Sequence, residues 1–220
     1  MKNWQYIFFD LDGTLTDSQE GITKSVAYAL HRFGIEVEDL TTLNVFIGPP
    51  LLDSFMKYYD FTEADARKAI DIYREYFSVT GKFENRVYEG VPELLKRLKG
   101  AGKKLVVATS KPEVFARQIM EHFDLAPYFE ETYGADLEGE RTSKDQVLAY
   151  ALRSRQITDL SQAVMIGDRE HDVLGAKKCG LETIGVLYGY GSRQELEESG
   201  AMAVVETPEQ VAELILAGTV

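Results

Sequence analysis

The stretch Tyr6–Ser18 reads YIFFDLDGTLTDS. Its first four residues are apolar and strand-like, and two aspartates, Asp10 and Asp12, close the run with one leucine between them. A chain that has just built a buried segment places two carboxylates side by side at its end. On an extended chain residues i and i+2 point the same way, so both carboxylates face one cavity while Leu11 points elsewhere. Two like charges at that spacing oppose each other's ionisation unless something positive sits beside them. A divalent cation answers that need, and hard oxygen ligands suit Mg²⁺. Gly13 lets the chain turn sharply, and Thr14 offers a hydroxyl and a backbone N–H to an anion. The same five residues also describe an ordinary polar turn leaving a strand, and on their own they leave both readings open.

Outward from this stretch, the chain alternates short apolar runs with amphipathic ones. Tyr6–Phe9, Lys104–Thr109, Ala163–Gly167, Glu182–Val186 and Ala203–Val205 read as buried parallel strands. Helical patterns lie between them in VPELLKRLKGAG, PEVFARQIMEHF, SKDQVLAYALRS, EHDVLGAKKCG and PEQVAELILAG. Repeated strand and helix give an α/β fold, a doubly wound parallel sheet with a Rossmann-like core. From Asp17 to Asn85 the alternation stops. EGITKSVAYALHRFG, with Ile22, Val26, Leu30 and Phe33 on one face, LLDSFMKYY after Gly48–Pro50, and TEADARKAIDIYREYF all read as helices. Such a block is too long for a connection within a sheet. The expected organisation is a core of residues 1–16 and 86–220 with an inserted all-α cap over 17–85, acting as a lid with hinges near Asp17 and Asn85–Arg86.

Composition sets outer limits. The 220 residues allow one substantial core with an inserted subdomain. The chain is 45% hydrophobic and 27% charged, and no apolar stretch approaches the roughly 20 residues of a bilayer span. The start MKNWQYIFFD lacks the apolar region and cleavage site of a secretory signal, which gives an expectation of a cytoplasmic protein. A single cysteine, Cys179, forms no internal disulfide and is expected as a small buried group on a helix. A formal net charge of −12 disfavours a nucleic-acid polymer as partner. An anionic substrate therefore needs a local positive remedy.

Three further places carry chemistry. VATSKP sets Thr109 and Ser110 at a strand end before a helix, a seat for phosphate or a plain helix cap. RTSKDQVL puts Lys144 at a helix start, where a lysine is ordinarily a solvated charge. VMIGDREHD repeats the first pattern, an apolar run ending in Asp168 with Asp172 four residues on. Lys111 either touches a substrate or is solvated. His31 and His122 lack partners at metal-ligand spacing, His171 receives no chemistry, and Tyr73, Tyr76 and Phe77 read as cap packing. Phe46–Pro50 is either a substrate-contacting loop or a helix break.

The order of these four motifs resembles that of the haloacid dehalogenase superfamily of phosphohydrolases. DLDGT is similar to its first motif, Thr109 with Ser110 to its second, Lys144 to its third and GDREHD to its fourth. The helical insertion resembles the subclass with an α-helical cap, and VYEGVPELLKRLKGAGKKLVVATSKP with YGYGS looks most like phosphoglycolate phosphatases and 5′-nucleotidases. The resemblance implies Asp10 as nucleophile forming an aspartyl-phosphate, Asp12 as general acid and base, and Lys144 as a charge stabiliser. It implies Thr14, Thr109, Ser110 and Lys144 for phosphate, and Mg²⁺ between Asp10, the backbone carbonyl of Asp12 and Asp168, with Asp172 as a further or outer ligand. It further implies a small-molecule phosphomonoester as substrate, in a monomer or weak homodimer. A phosphomutase of the same superfamily, and a non-catalytic binding module on the same fold, remain as alternatives.

Overall fold

The computed structural model describes residues 3–217. Contacts divide the chain into two compact units, one of Met1–Thr16 with Val87–Val220 and one of Asp17–Arg86.

The first unit is built on strands Tyr6–Phe9 (β1), Lys104–Pro112 (β4), Glu131–Ala135 (β5), Ala163–Gly167 (β6), Glu182–Val186 (β7) and Ala203–Val205 (β8). Two further strands, Thr16–Asp17 (β2) and Arg86–Val87 (β3), form a small separate ribbon where the chain passes between the units. The six strands form one sheet in the order β5-β4-β1-β6-β7-β8, every pair parallel. In a parallel sheet both faces are covered, so the strands read as continuous apolar runs rather than alternating ones. Phe8, Val106, Ala108 and Met165 lie in one cluster with Val147, Leu148, Ala151 and Leu152 of helix Lys144–Ser154 (α6) and Ala176 of helix Glu170–Lys178 (α7). The alternate residues Ile7, Phe9, Leu105, Val107, Val164 and Ile166 are equally buried on the other face. Helices Val91–Gly100 (α4), Glu113–His122 (α5), Arg193–Ser199 (α8) and Pro208–Ala217 (α9) complete the layers, with α4 packed on α9.

Besides the two-residue strands β2 and β3, two of these elements carry no pattern in the sequence. β5, ETYGA, holds only two apolar side chains and sits at the sheet edge, so it lacks the run that marks its neighbours. α8, RQELEES, buries Leu196 alone and carries no apolar periodicity. Cys179 lies at the end of α7, half-buried against the core cluster, and its Sγ reaches the carbonyl of Asp145 at 3.3 Å. No helix among the described residues is long and apolar enough to cross a membrane.

The second unit contains helices Gln19–His31 (α1), Leu51–Tyr59 (α2) and Glu63–Phe77 (α3), with a 3-10 segment at Leu40–Phe46. Ile22, Val26 and Leu30 are buried, whereas Phe33 lies past the helix end and meets Phe61 with ring centroids 4.7 Å apart. Thr62 caps α3 by accepting from Asp65 N, and Tyr73 and Phe77 stack inside the unit. Phe55 is fully buried, 4.9 Å from Phe46 and 5.8 Å from Phe61 by ring centroid. Phe55→Ala should therefore cost the helical unit about 3–5 kcal/mol. Chemical denaturation of the variant checks this, and a loss below about 1 kcal/mol would remove Phe55 from the unit's core.

Candidate functional site

In an open α/β sheet the crevice for a ligand opens at the carboxyl ends of the strands, where the strand order reverses. Here the chain runs from β1 outward to β4 and β5, then returns to β6 on the other side of β1. Asp10 follows β1 and Asp168 follows β6, so the two aspartates flank the reversal. Asp10 N still donates to Ile166 O at 2.9 Å, which carries the ladder one residue past β1 and fixes where the carboxylate starts.

The carboxylates do not stand alone. Lys144, at the first position of α6, is 4% exposed, against the solvated placement that its sequence context suggests. Its ammonium lies 2.7 Å from Asp10 Oδ1 and 2.9 Å from Asp172 Oδ1, and it donates to Ala108 O at 2.9 Å. A cation at a helix start opposes the helix dipole, and the two carboxylates offset that cost. Burial alone would lower the lysine's pKa, yet the Asp10 and Asp172 charges hold it above the ordinary value. Lys144 is thus an ammonium, fixed between the end of β1 and the start of α7.

Asp168 is fully buried and held from two sides. Its Oδ2 accepts from Tyr190 N at 2.9 Å, and its Oδ1 accepts from the Thr14 hydroxyl at 3.2 Å. Thr14 therefore turns its hydroxyl to a carboxylate. Gly13 makes this approach possible: its φ is +84°, and a Cβ there would stand 2.2 Å from Asp168 Oδ2. Asp172 Oδ2 accepts from Arg169 N at 3.1 Å, tying the side chain to the first turn of α7. Burial, then the Asp172 and Asp10 charges, raise Asp168 well above the usual carboxylate range. Burial also dominates at Asp172, which is pushed up to about 6.

Asp10, Asp168 and Asp172 each offer an oxygen, all within 4.8 Å of one another. Asp10 Oδ1 and Asp172 Oδ1 face the Lys144 ammonium but accept no well-aligned hydrogen bond among the described residues. Three buried carboxylates, two of them with an oxygen that accepts no hydrogen bond, fit a hard divalent cation. The Asp12 side chain stands outside this cluster and pairs with Lys111 Nζ at 3.0 Å.

At the end of β4, Thr109 and Lys111 are buried and Ser110 between them is half-buried. The helix that follows takes Pro112 as its N-cap with no side-chain cap bond, so neither hydroxyl serves as a cap. Thr109 Oγ1 instead accepts from Lys111 N at 3.2 Å. One contributor, Tyr190, has no residue signature in the sequence, because it acts through its backbone N–H. Lys111, open in the sequence between substrate contact and solvation, is buried against Asp12 instead of solvated. Of the histidines, His31 pairs with Glu36 in solvent, and His171, half-buried, is lowered by desolvation.

The family model for haloacid dehalogenase-like hydrolases matches residues 7–186. A 5′-nucleotidase of Pseudomonas aeruginosa is 54% identical over 190 residues, covering 86% of each chain. A tyrosine-protein kinase PtkA of Mycobacterium tuberculosis is 40% identical over 201 residues, 91% of this chain and 68% of that protein. A crystal structure of a predicted phosphatase from Clostridium acetobutylicum superposes with a TM-score of 0.96 at 53% identity, covering 98% of this chain and 99% of that one. With the strand-end aspartates, the buried lysine and the family model all falling on one stretch, the chain belongs to the haloacid dehalogenase-like hydrolases.

Proposed function

We propose that the chain is a Mg²⁺-dependent phosphatase that hydrolyses a small phosphomonoester through a phosphoryl group carried on Asp10. The observation that carries this reading is the Lys144 ammonium set between Asp10 and Asp172, with Asp168 closing the cluster. In the first step Asp10 attacks phosphorus, the bond to the leaving oxygen breaks, and Asp12 gives that oxygen its proton. In the second, Asp12 takes a proton from water, the water oxygen bonds to phosphorus, and Asp10 is released. Lys144, beside Asp10, faces the charge of the transferring group, while Thr109, and Ser110 beside it, supply donors. Asp10, Asp168, Asp172 and the backbone carbonyl of Asp12 would hold Mg²⁺. When bound, it offsets carboxylate charge and polarises the phosphoryl oxygens.

The 5′-nucleotidase relative, at 54% identity, supports a nucleoside 5′-monophosphate as substrate ahead of 2-phosphoglycolate.

A panel of 5′-nucleotides, 2-phosphoglycolate, sugar phosphates and p-nitrophenyl phosphate tests the proposal, with both substrate loss and phosphate release followed. Release should require Mg²⁺, and Asp10→Asn should abolish it. Asp12→Asn should cost about 10²–10⁴ in rate. Substrate loss without matching phosphate would favour transfer to an acceptor other than water, as in a mutase or a kinase. An Asp10→Asn variant as fast as the wild type would end the reading.

The raised carboxyls add a second test. Asp168 and Asp172 bind protons more tightly folded than unfolded. In the metal-free protein these two carboxyls should therefore contribute stability that is lost as pH rises from the ordinary 3.8 through about 6 at Asp172, a loss that Asp172→Asn should remove. A cation competes with those protons. Mg²⁺ should raise the Tm by several degrees near neutral pH and by little at about pH 5. Equal gains at both would contradict the site.

A further inference from the structure

Lys111 is a buried charge that the reaction scheme leaves without a task. The residue is 8% exposed, and its ammonium lies 3.0 Å from Asp12 Oδ2. The other oxygen, Asp12 Oδ1, is buried and accepts no hydrogen bond among the described residues. The two oxygens of one carboxyl group thus have different surroundings, one held by a cation and one unengaged.

The backbone is shaped around this contact. β4 pairs with β5 at Ala108↔Tyr133 and next at Pro112↔Ala135, so β4 advances four residues where β5 advances two. The surplus forms a bulge at Thr109–Lys111, a device that re-aims side chains beside sites. Within it Lys111 N donates to Thr109 Oγ1 at 3.2 Å. β5 makes room with Gly134, where a Cβ would stand 2.5 Å from Lys111 O. The glycine that weakens β5 as a strand is what lets the Lys111 main chain pass.

We propose that Lys111 is a positioning residue for Asp12, holding Oδ2 so that Oδ1 is the oxygen presented to the leaving group. This rests on the reading of Asp12 as the acid. In that step the Asp10–phosphorus bond forms, the phosphorus–oxygen bond breaks, and the proton on Asp12 Oδ1 passes to the departing oxygen. Oδ2 is then the carbonyl oxygen of the acid and still accepts from the ammonium, so the contact survives the transfer.

A lysine that merely filled space would matter equally for every substrate, whereas one acting through the acid matters most when the leaving oxygen needs a proton. Phenyl phosphate and p-nitrophenyl phosphate are similar in size and differ in that need. We expect Lys111→Met to lower kcat/KM for phenyl phosphate about tenfold more than for p-nitrophenyl phosphate. Lys111→Arg should recover part of the difference, and Asp12→Asn should show the same bias more strongly. An equal loss on both substrates in Lys111→Met, with the bias intact in Asp12→Asn, overturns the positioning role and leaves the acid standing. Absence of bias in Asp12→Asn overturns the acid itself, and this inference with it. Melting curves accompany each variant. Should Lys111→Met not fold, Gly134→Ala, which presses on the Lys111 carbonyl and keeps the charge, must show the same bias, and its failure to do so counts against the proposal.

Discussion

Everything in the site depends on how four buried carboxylates are kept together. Asp10, Asp12, Asp168 and Asp172 are each 6% exposed or less, and two buried lysines, Lys111 and Lys144, face them. At an effective dielectric near 20, two unit charges 4 Å apart interact by about 4 kcal/mol, so uncompensated carboxylates at this spacing would work against the fold. The lysines offset two of the four charges. The remaining two equal the charge of one divalent cation, and the raised pKa values of Asp168 and Asp172 express the same deficit in protons. The proposed metal binding and catalysis would then be two uses of one electrostatic imbalance.

Topology makes that imbalance affordable. The reversal of strand order about β1 brings the ends of β1, β4 and β6 side by side, and the starts of α6 and α7 follow with Lys144 and Asp172. Three of the charged side chains are anchored by backbone groups: Asp172 by Arg169 N, Asp168 by Tyr190 N, Lys144 by Ala108 O. These bonds set side-chain directions before any ligand arrives, which is what phosphoryl transfer needs, since positioning and charge stabilisation supply most of its rate.

How much of this was legible follows from the range of each interaction. The four strands that carry or flank the site are buried on both faces, so Tyr6–Phe9, Lys104–Thr109, Ala163–Gly167 and Glu182–Val186 announce themselves as apolar runs. Asp10 and Asp168 are legible because each ends such a run. β5 and α8 are not, because an edge strand with two apolar residues and a helix with one buried leucine leave little pattern. Lys144 and Lys111 look like surface lysines from their neighbours in sequence. Their burial is decided by Asp10, Asp172 and Asp12, which meet them only in the folded sheet. The backbone bond from Tyr190 to Asp168 has no side-chain signature at all, and only the 188–191 loop's return to the strand ends reveals it.

The central claim is that Asp10 carries the phosphoryl group, and chemical trapping tests it most directly. The enzyme, mixed with substrate and Mg²⁺, is quenched in acid during turnover, reduced with borohydride and mapped by mass spectrometry. An acyl phosphate is reduced to an alcohol, so homoserine at position 10 and at no other aspartate is the result the account predicts. Turnover with Asp10 unmodified, or homoserine at another position, would contradict it.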